Sequence, residues 1–230
     1  MDADDRWGVS FLDEIKQAII NYPKNNIFIG GKILVKNSEF YRYSNEFIPP
    51  LGETGKVNLY EVISKYGPPI NSSNCVIKKD HIEKYGKFRI GQKNYEDHDL
   101  WLRLCINEPL IYINKELSFN IHDDPESASK GYLFSKDFKS LIQTFKYVEK
   151  KLSIDDKIFF KKYYNRFIIS SFLKYKQFYS KEEIYQLKNE ANKLIKFPYS
   201  TFFSLATFFD FNYDTMKRLS KFILKSFHMR

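Results

Sequence analysis

Residues 26–37 read NIFIGGKILVKN, a β-branched apolar run broken by two adjacent glycines. Ile and Val fit a pleated, half-buried surface and lose χ1 freedom in a helix. The stretch therefore predicts extended chain, either one bent strand or two short ones. LIYINKELSFNI at 110–121 predicts two more short strands. Helical patterns stand around these runs. SFLDEIKQAIINY places Phe11, Leu12, Ile15, Ile19 and Ile20 near helical spacing, behind Ser10 as a candidate N-cap. NYEDHDLWLRLCIN predicts a helix whose acidic first turn suits the positive end of the helix dipole. FIPPLGETGKV predicts a loop. INSSNCVIKKDHIEKYGKF predicts a loop, a strand at Cys75–Ile77 and a short helix from Asp80 that stops near Gly86. Strand and helix alternate, so the class is α/β.

The pattern changes from about Leu133. Phe138, Leu141, Ile142, Phe145 and Val148 follow helical spacing with lysines between them, and Phe159, Tyr163, Phe167 and Ile168 continue it. Ser180 and Glu183 form a Ser-x-x-Glu capping box ahead of another helix. Charge shifts at the same place. Residues 1–132 hold 17 Lys+Arg against 19 Asp+Glu, and residues 133–230 hold 20 against 9. The whole +9 excess therefore lies in the second part. Two regions are expected, 1–132 and 133–230, with different partners. Cys75 and Cys105 stand alone, which excludes a disulfide framework and a CxxC metal pair and fits a reducing cytoplasm. No signal peptide and no run long enough for a transmembrane helix is evident.

Two acidic clusters carry chemistry. Asp2-Ala3-Asp4-Asp5 concentrates mutually repelling carboxylates, and a hard divalent cation with oxygen ligands is one reason to hold them together. A solvated acidic terminus is the other reading. An EF-hand register fails, because Arg6 and Trp7 fall where an acidic residue and Gly are needed. Arg6 also spoils the phosphatase-type Asp-x-Asp pattern. In the second cluster, Glu96-Asp97-His98-Asp99, Asp97 at a helix start is placed to accept a proton from a substrate hydroxyl. Asp99 either caps the helix or pairs with Arg103 at i+4. The bland alternative is that these charges only favour the helix start. A lone histidine, His122, gains meaning only if the fold brings it near Asp4.

Taken in order, DADDRW, INSSNCVIKKDHIEKYGKF, YEDHDLWLRL and SFNIHDDPESAS resemble the second half of a family 2 glycosyltransferase with a GT-A fold. The resemblance covers roughly residues 1–130, a little over half the chain, and YEDHDLWLRL is its most specific stretch. It implies a GT-A (nucleotide-diphospho-sugar transferase) fold followed by a helical region. The implied activity is metal-dependent, inverting transfer of a hexosyl group from a nucleotide-sugar donor to a saccharide or lipid-linked saccharide acceptor. Asp4 would hold Mg²⁺ or Mn²⁺ on the donor diphosphate, with Asp2 nearer the ribose or a metal-bound water. Asp97 would be the general base, with Glu96 as second candidate. His122 would sit where some members place a metal ligand. Ser72 and Ser73 would lie near the donor and acceptor cleft. The implied setting is cell-surface polysaccharide synthesis, in the cytoplasm or on the inner face of the cell membrane.

Family members also carry, ahead of the Asp-x-Asp motif, a nucleotide-binding half with a first strand and an Asp-Asp-Gly-Ser segment. The resemblance thus implies an incomplete GT-A fold, an N-terminally truncated enzyme and weak or absent donor binding. An alternative is a catalytically inactive remnant that works as a membrane-associated or partner-binding module. The basic, aromatic tail keeps two readings open: a helical extension packed on the first region, or docking to an anionic membrane surface. MKRLSKFILKSFHMR fits docking best, with Met216, Leu219, Ile223 and Phe227 on the apolar side. No nucleic-acid motif accompanies the charge, so nucleic acid is not an expected partner.

Overall fold

The computed structural model describes residues 1–121, 135–196 and 199–208. His122 and the 216–230 segment lie outside the described residues.

The sheet is built on two long strands. β2 (Ile27–Lys36) and β6 (Leu110–Ile121) run parallel, from Phe28 opposite Ile111 to Val35 opposite Ile121. Four shorter strands flank them, all antiparallel. β5 (Cys75–Ile77) and β3 (Glu39–Arg42) cover successive halves of the outer edge of β2, and β4 (Thr54–Val57) and β1 (Arg6–Trp7) do the same for β6. The 26–37 run is therefore one bent strand. Its register shifts between Gly30 and Lys32, where a Cβ on Gly31 would meet the Lys115 carbonyl oxygen at 2.3 Å. Only glycine allows that approach. The 110–121 run is one strand where two were expected: its pairing with β2 breaks after Ile113, around the polar pair Lys115-Glu116, and resumes on the same partner at Ser118. β4 lies inside the stretch expected to be loop, since β6 offers a free ladder to Gly55 and its neighbours. Asn37 and Ser38 both take positive φ (51° and 62°) and close a two-residue hairpin from β2 to β3.

Period-two alternation divides the strands between two layers. Phe28, Ile111 and Ile113 pack against Phe11, Ile15 and Ala18 of α1 (Phe11–Asn21) on one face. Ser10 precedes that helix without a side-chain capping bond. Ile27, Ile29, Leu110 and Tyr112 join the larger core on the other face, with α2 (Leu59–Lys65) and α4 (Glu96–Leu104). α3 (Lys79–Tyr85) ends where expected, at Gly86, whose φ of +89° favours glycine.

The larger core continues into α5 (Ser135–Lys151) and α6 (Ile154–Tyr175). The five apolar positions expected on α5 are all buried. On α6, Phe160 is fully buried, while Phe159 and Phe167 pack at its margin. Arg166 reaches from α6 to the carbonyls of Ile63 (2.6 Å), Ser64 (3.1 Å) and Lys65 (3.0 Å), which have no intrahelical donor at the end of α2. α7 (Lys181–Asn192) opens with the expected capping box, both bonds formed, and α8 (Tyr199–Phe208) packs Phe203 on Phe172. Among the described residues, no helix is long and apolar enough to cross a membrane.

Candidate active site

The N-terminal turn is pinned at three points. Asp5 is buried and accepts from the Ile121 amide (3.0 Å) and from Asn120 Nδ2 (2.5 Å), which fixes the turn to the end of β6. Trp7 stacks on Phe11 with centroids 4.2 Å apart and donates Nε1 to the Ser73 carbonyl at 2.6 Å. Asp2 meets the 71–74 loop: its amide donates to Ser73 Oγ (3.0 Å), and its carboxylate accepts from Ser72 Oγ (3.1 Å).

That loop is held by its own asparagines. Asn71 Oδ1 accepts from the amides of Ser73 and Asn74, and Asn74 Oδ1 accepts from the Asn71 amide. The Asn74 amide group then donates to Gly30 and Pro69 carbonyls, both at 2.9 Å. Asn side chains mimic backbone turns in this way. The result is a rigid ledge that presents Ser72 and Ser73 to Asp2.

α4 supplies the second acidic group. It follows Tyr95, which takes a left-handed φ of 54°, and its first turn exposes Glu96 and Asp97 in part. Asp97 accepts from the His98 amide at 2.6 Å. Asp99 points the other way. It is fully buried, bound by Arg103 Nε and Arg89 Nε at 2.8 Å each and by the Thr144 hydroxyl. Arg103 in turn donates to the carbonyls of Tyr85, Gly86 and Lys87. The i+4 pairing is thus the role Asp99 takes, and it anchors the helix whose first turn carries Glu96 and Asp97.

Electrostatics tie the two acidic groups together. Partial burial raises the Glu96 carboxyl above its ordinary range, and Asp97, Asp137 and Asp2 raise it further, against a lowering backbone hydrogen bond. The Asp2 charge thus acts on the first turn of α4. Burial pushes the Lys32 ammonium down to about 8, with Asp97 pulling the other way. His98, packed among Tyr95, Tyr163 and Phe167, is held below its usual value by burial and by Lys32, against Asp97. Its Nδ1 lies 2.9 Å from the Tyr163 hydroxyl of α6.

Of the residues picked from sequence, Asp2, Ser72 and Ser73 are in direct contact, and Glu96 and Asp97 stand on the first turn of α4. Asp4 is exposed on the same turn, and its carboxylate has no protein partner among the described residues. Among the described residues, no three His, Cys, Asp or Glu side chains are grouped to hold a metal. Asp2 and Asp4 still suit the Mg²⁺ pattern, in which one or two carboxylates are completed by phosphate oxygens and water. Lys32, His98, Tyr163 and Asp137 were missed. Lys32 had a faint signal, a cation directly after the two glycines of an apolar strand, and Tyr163 had none.

The layout is an α/β sheet, with the Asp2–Asp5 turn at the carboxyl end of β6 in its parallel pair. No protein-family model matches the sequence, and no curated protein matches it. Among solved structures, the fold is similar to that of S. aureus TarS 1–349 in complex with UDP-GlcNAc, with a TM-score of 0.60 and 14% identity. The likeness covers 85% of this chain and 56% of that one, so the chain spans little more than half the length of that neighbour.

Proposed function

We propose that the chain is a transferase that moves a glycosyl group from a nucleotide-sugar donor to an acceptor hydroxyl. The observation that supports this is the seating of Asp2 on its Ser72–Ser73 ledge, with the Glu96 carboxyl of α4 raised in part by the Asp2 charge, in a fold similar to that of TarS. The two acidic groups have different surroundings, which suits them to different tasks.

Asp97 accepts the proton of the acceptor hydroxyl as its oxygen attacks the anomeric carbon. The new bond forms to that oxygen, the bond from carbon to the diphosphate oxygen breaks, and the configuration inverts. Glu96, whose carboxyl is raised, is the second group able to take that proton. Ser72 and Ser73 hold Asp2 in place at the donor side. Asp2 and Asp4 would hold Mg²⁺ or Mn²⁺, which when bound supplies positive charge for the departing diphosphate. Hexosyl transfer in cell-surface polysaccharide assembly, and a lipid-linked or saccharide acceptor, are the finer reading supported by the motif resemblance. Docking of residues 133–230 to anionic membrane is supported by their charge alone.

The test is donor binding by calorimetry and nucleoside diphosphate release, with Mn²⁺ and a donor panel that begins with UDP-GlcNAc, the ligand of the TarS structure. Asp97→Asn should abolish release and leave donor binding intact, while Asp2→Asn should weaken binding. Turnover by Asp97→Asn would remove the base assignment. Failure of every nucleotide sugar to bind would remove the transferase reading.

A further inference from the structure

A pocket of about 370 Å³ opens next to the acidic site, between the second half of β2, the β3 hairpin and the 67–71 loop. Its size falls within the roughly 300–1,000 Å³ of small-molecule sites. Asn71 and Asn120 line it, so it shares a wall with the ledge that holds Asp2 and with the end of β6 that holds Asp5.

Its charge is one-sided. Lys32 and Arg42 line it, and no carboxylate does. Arg42 is paired with Glu116, yet about a third of its side chain remains exposed. Lys32 Nζ donates to the Pro68 carbonyl at 2.7 Å and lies 4.8 Å over the Tyr43 ring. Its lowered proton affinity is one that a bound anion would restore.

The remaining walls suit a sugar ring. Tyr41 is half exposed and offers a flat apolar face, although its hydroxyl is bound by Glu39. Tyr43 is locked by its hydroxyl on the Gly67 carbonyl at 2.6 Å. Asn71 and Asn120 are bonded to each other at 3.0 Å. Walls fixed in this way reduce the ordering cost of binding.

We propose that this pocket is an acceptor subsite for an anionic saccharide, a pyranose that carries a carboxylate or phosphate, with its ring on Tyr41 and its anion on Lys32 and Arg42. The word acceptor rests on the transferase reading; the anionic-sugar site does not. The donor diphosphate is the competing occupant. The half-exposed Tyr41 face in the pocket wall suits a sugar ring better than a diphosphate, which favours the acceptor.

The full chain is tested by calorimetry and saturation-transfer NMR with methyl glucuronide, glucose 6-phosphate, neutral methyl glucoside and UDP. The two anionic sugars should bind about tenfold or more tighter than the neutral one, the usual worth of a charge-assisted hydrogen bond. Lys32→Met should erase that preference and leave UDP binding unchanged, and Tyr41→Ala should weaken ring-proton saturation for all three sugars. If Lys32→Met fails to fold, Arg42→Gln carries the same comparison. Equal binding of charged and neutral sugars overturns the proposal, as does loss of UDP binding in Lys32→Met. Anionic sugars bound by a chain that binds no nucleotide sugar would sustain the pocket and remove the transferase reading.

Discussion

Asp99→Ala should be the most damaging single change near the site. The Asp99 side chain is 1% exposed and carries three donors: Arg103 Nε, Arg89 Nε and the Thr144 hydroxyl. Its removal leaves the Arg103 guanidinium, 8% exposed, buried without a counter-charge. Arg103 keeps its three backbone carbonyl partners, but these are dipoles and do not neutralise it. Breaking a buried pair from one side costs about 3–5 kcal/mol. The same logic sets a control. Arg89 is 39% exposed, so Arg89→Ala should cost only about 1 kcal/mol. Equilibrium urea unfolding followed by circular dichroism measures both. A loss below about 1 kcal/mol for Asp99→Ala, or equal losses for the two variants, would refute the claim that this charge pair anchors α4.

Other outcomes follow from single contacts. Arg166→Ala frees three carbonyls at the end of α2 and should cost about 1–3 kcal/mol in the same unfolding measurement. In a ¹⁵N-lysine titration, one amine should titrate near pH 8 and vanish in Lys32→Met. Because the folded value of Lys32 lies below its ordinary 10.5, the unfolded chain binds the extra proton between about 8 and 10.5. Stability from this group should therefore rise with pH across that window, and chemical denaturation at several pH values reads it. Cys75 and Cys105 are free thiols, with burial pushing Cys75 up to about 12 and Cys105 higher still. Both should resist a thiol reagent at pH 8 in the native protein and react on unfolding.

Much of the local structure was legible in the residues. The capping box at Ser180, the helix end at Gly86, the strand Cys75–Ile77 and the apolar face of α5 each arise within a few positions of chain. The strands were less so. LIYINKELSFNI looks like two strands because Lys115 and Glu116 interrupt its apolar pattern, and only the partner β2, which pairs with it on both sides of the break at Gly31, makes it one strand. β4 was hidden for the same reason: Thr-Gly-Lys-Val has little intrinsic strand character, and β6 recruits it.

The site divides along the same line. Clustered like charge and a helix start, visible in one dimension, singled out Asp2, Glu96 and Asp97, and the family resemblance added Ser72 and Ser73. The contact of Asp2 with Ser72 and Ser73 is a tertiary fact. It depends on the asparagine-held 71–74 loop and on the end of β6 that binds Asp5, both of which reach the N-terminal turn from far along the chain. Lys32 is the clearest case. In sequence it is one lysine among many. Burial at the wall of a pocket pushes its ammonium down to about 8, because desolvation and Coulomb forces depend on distance in space and not along the chain.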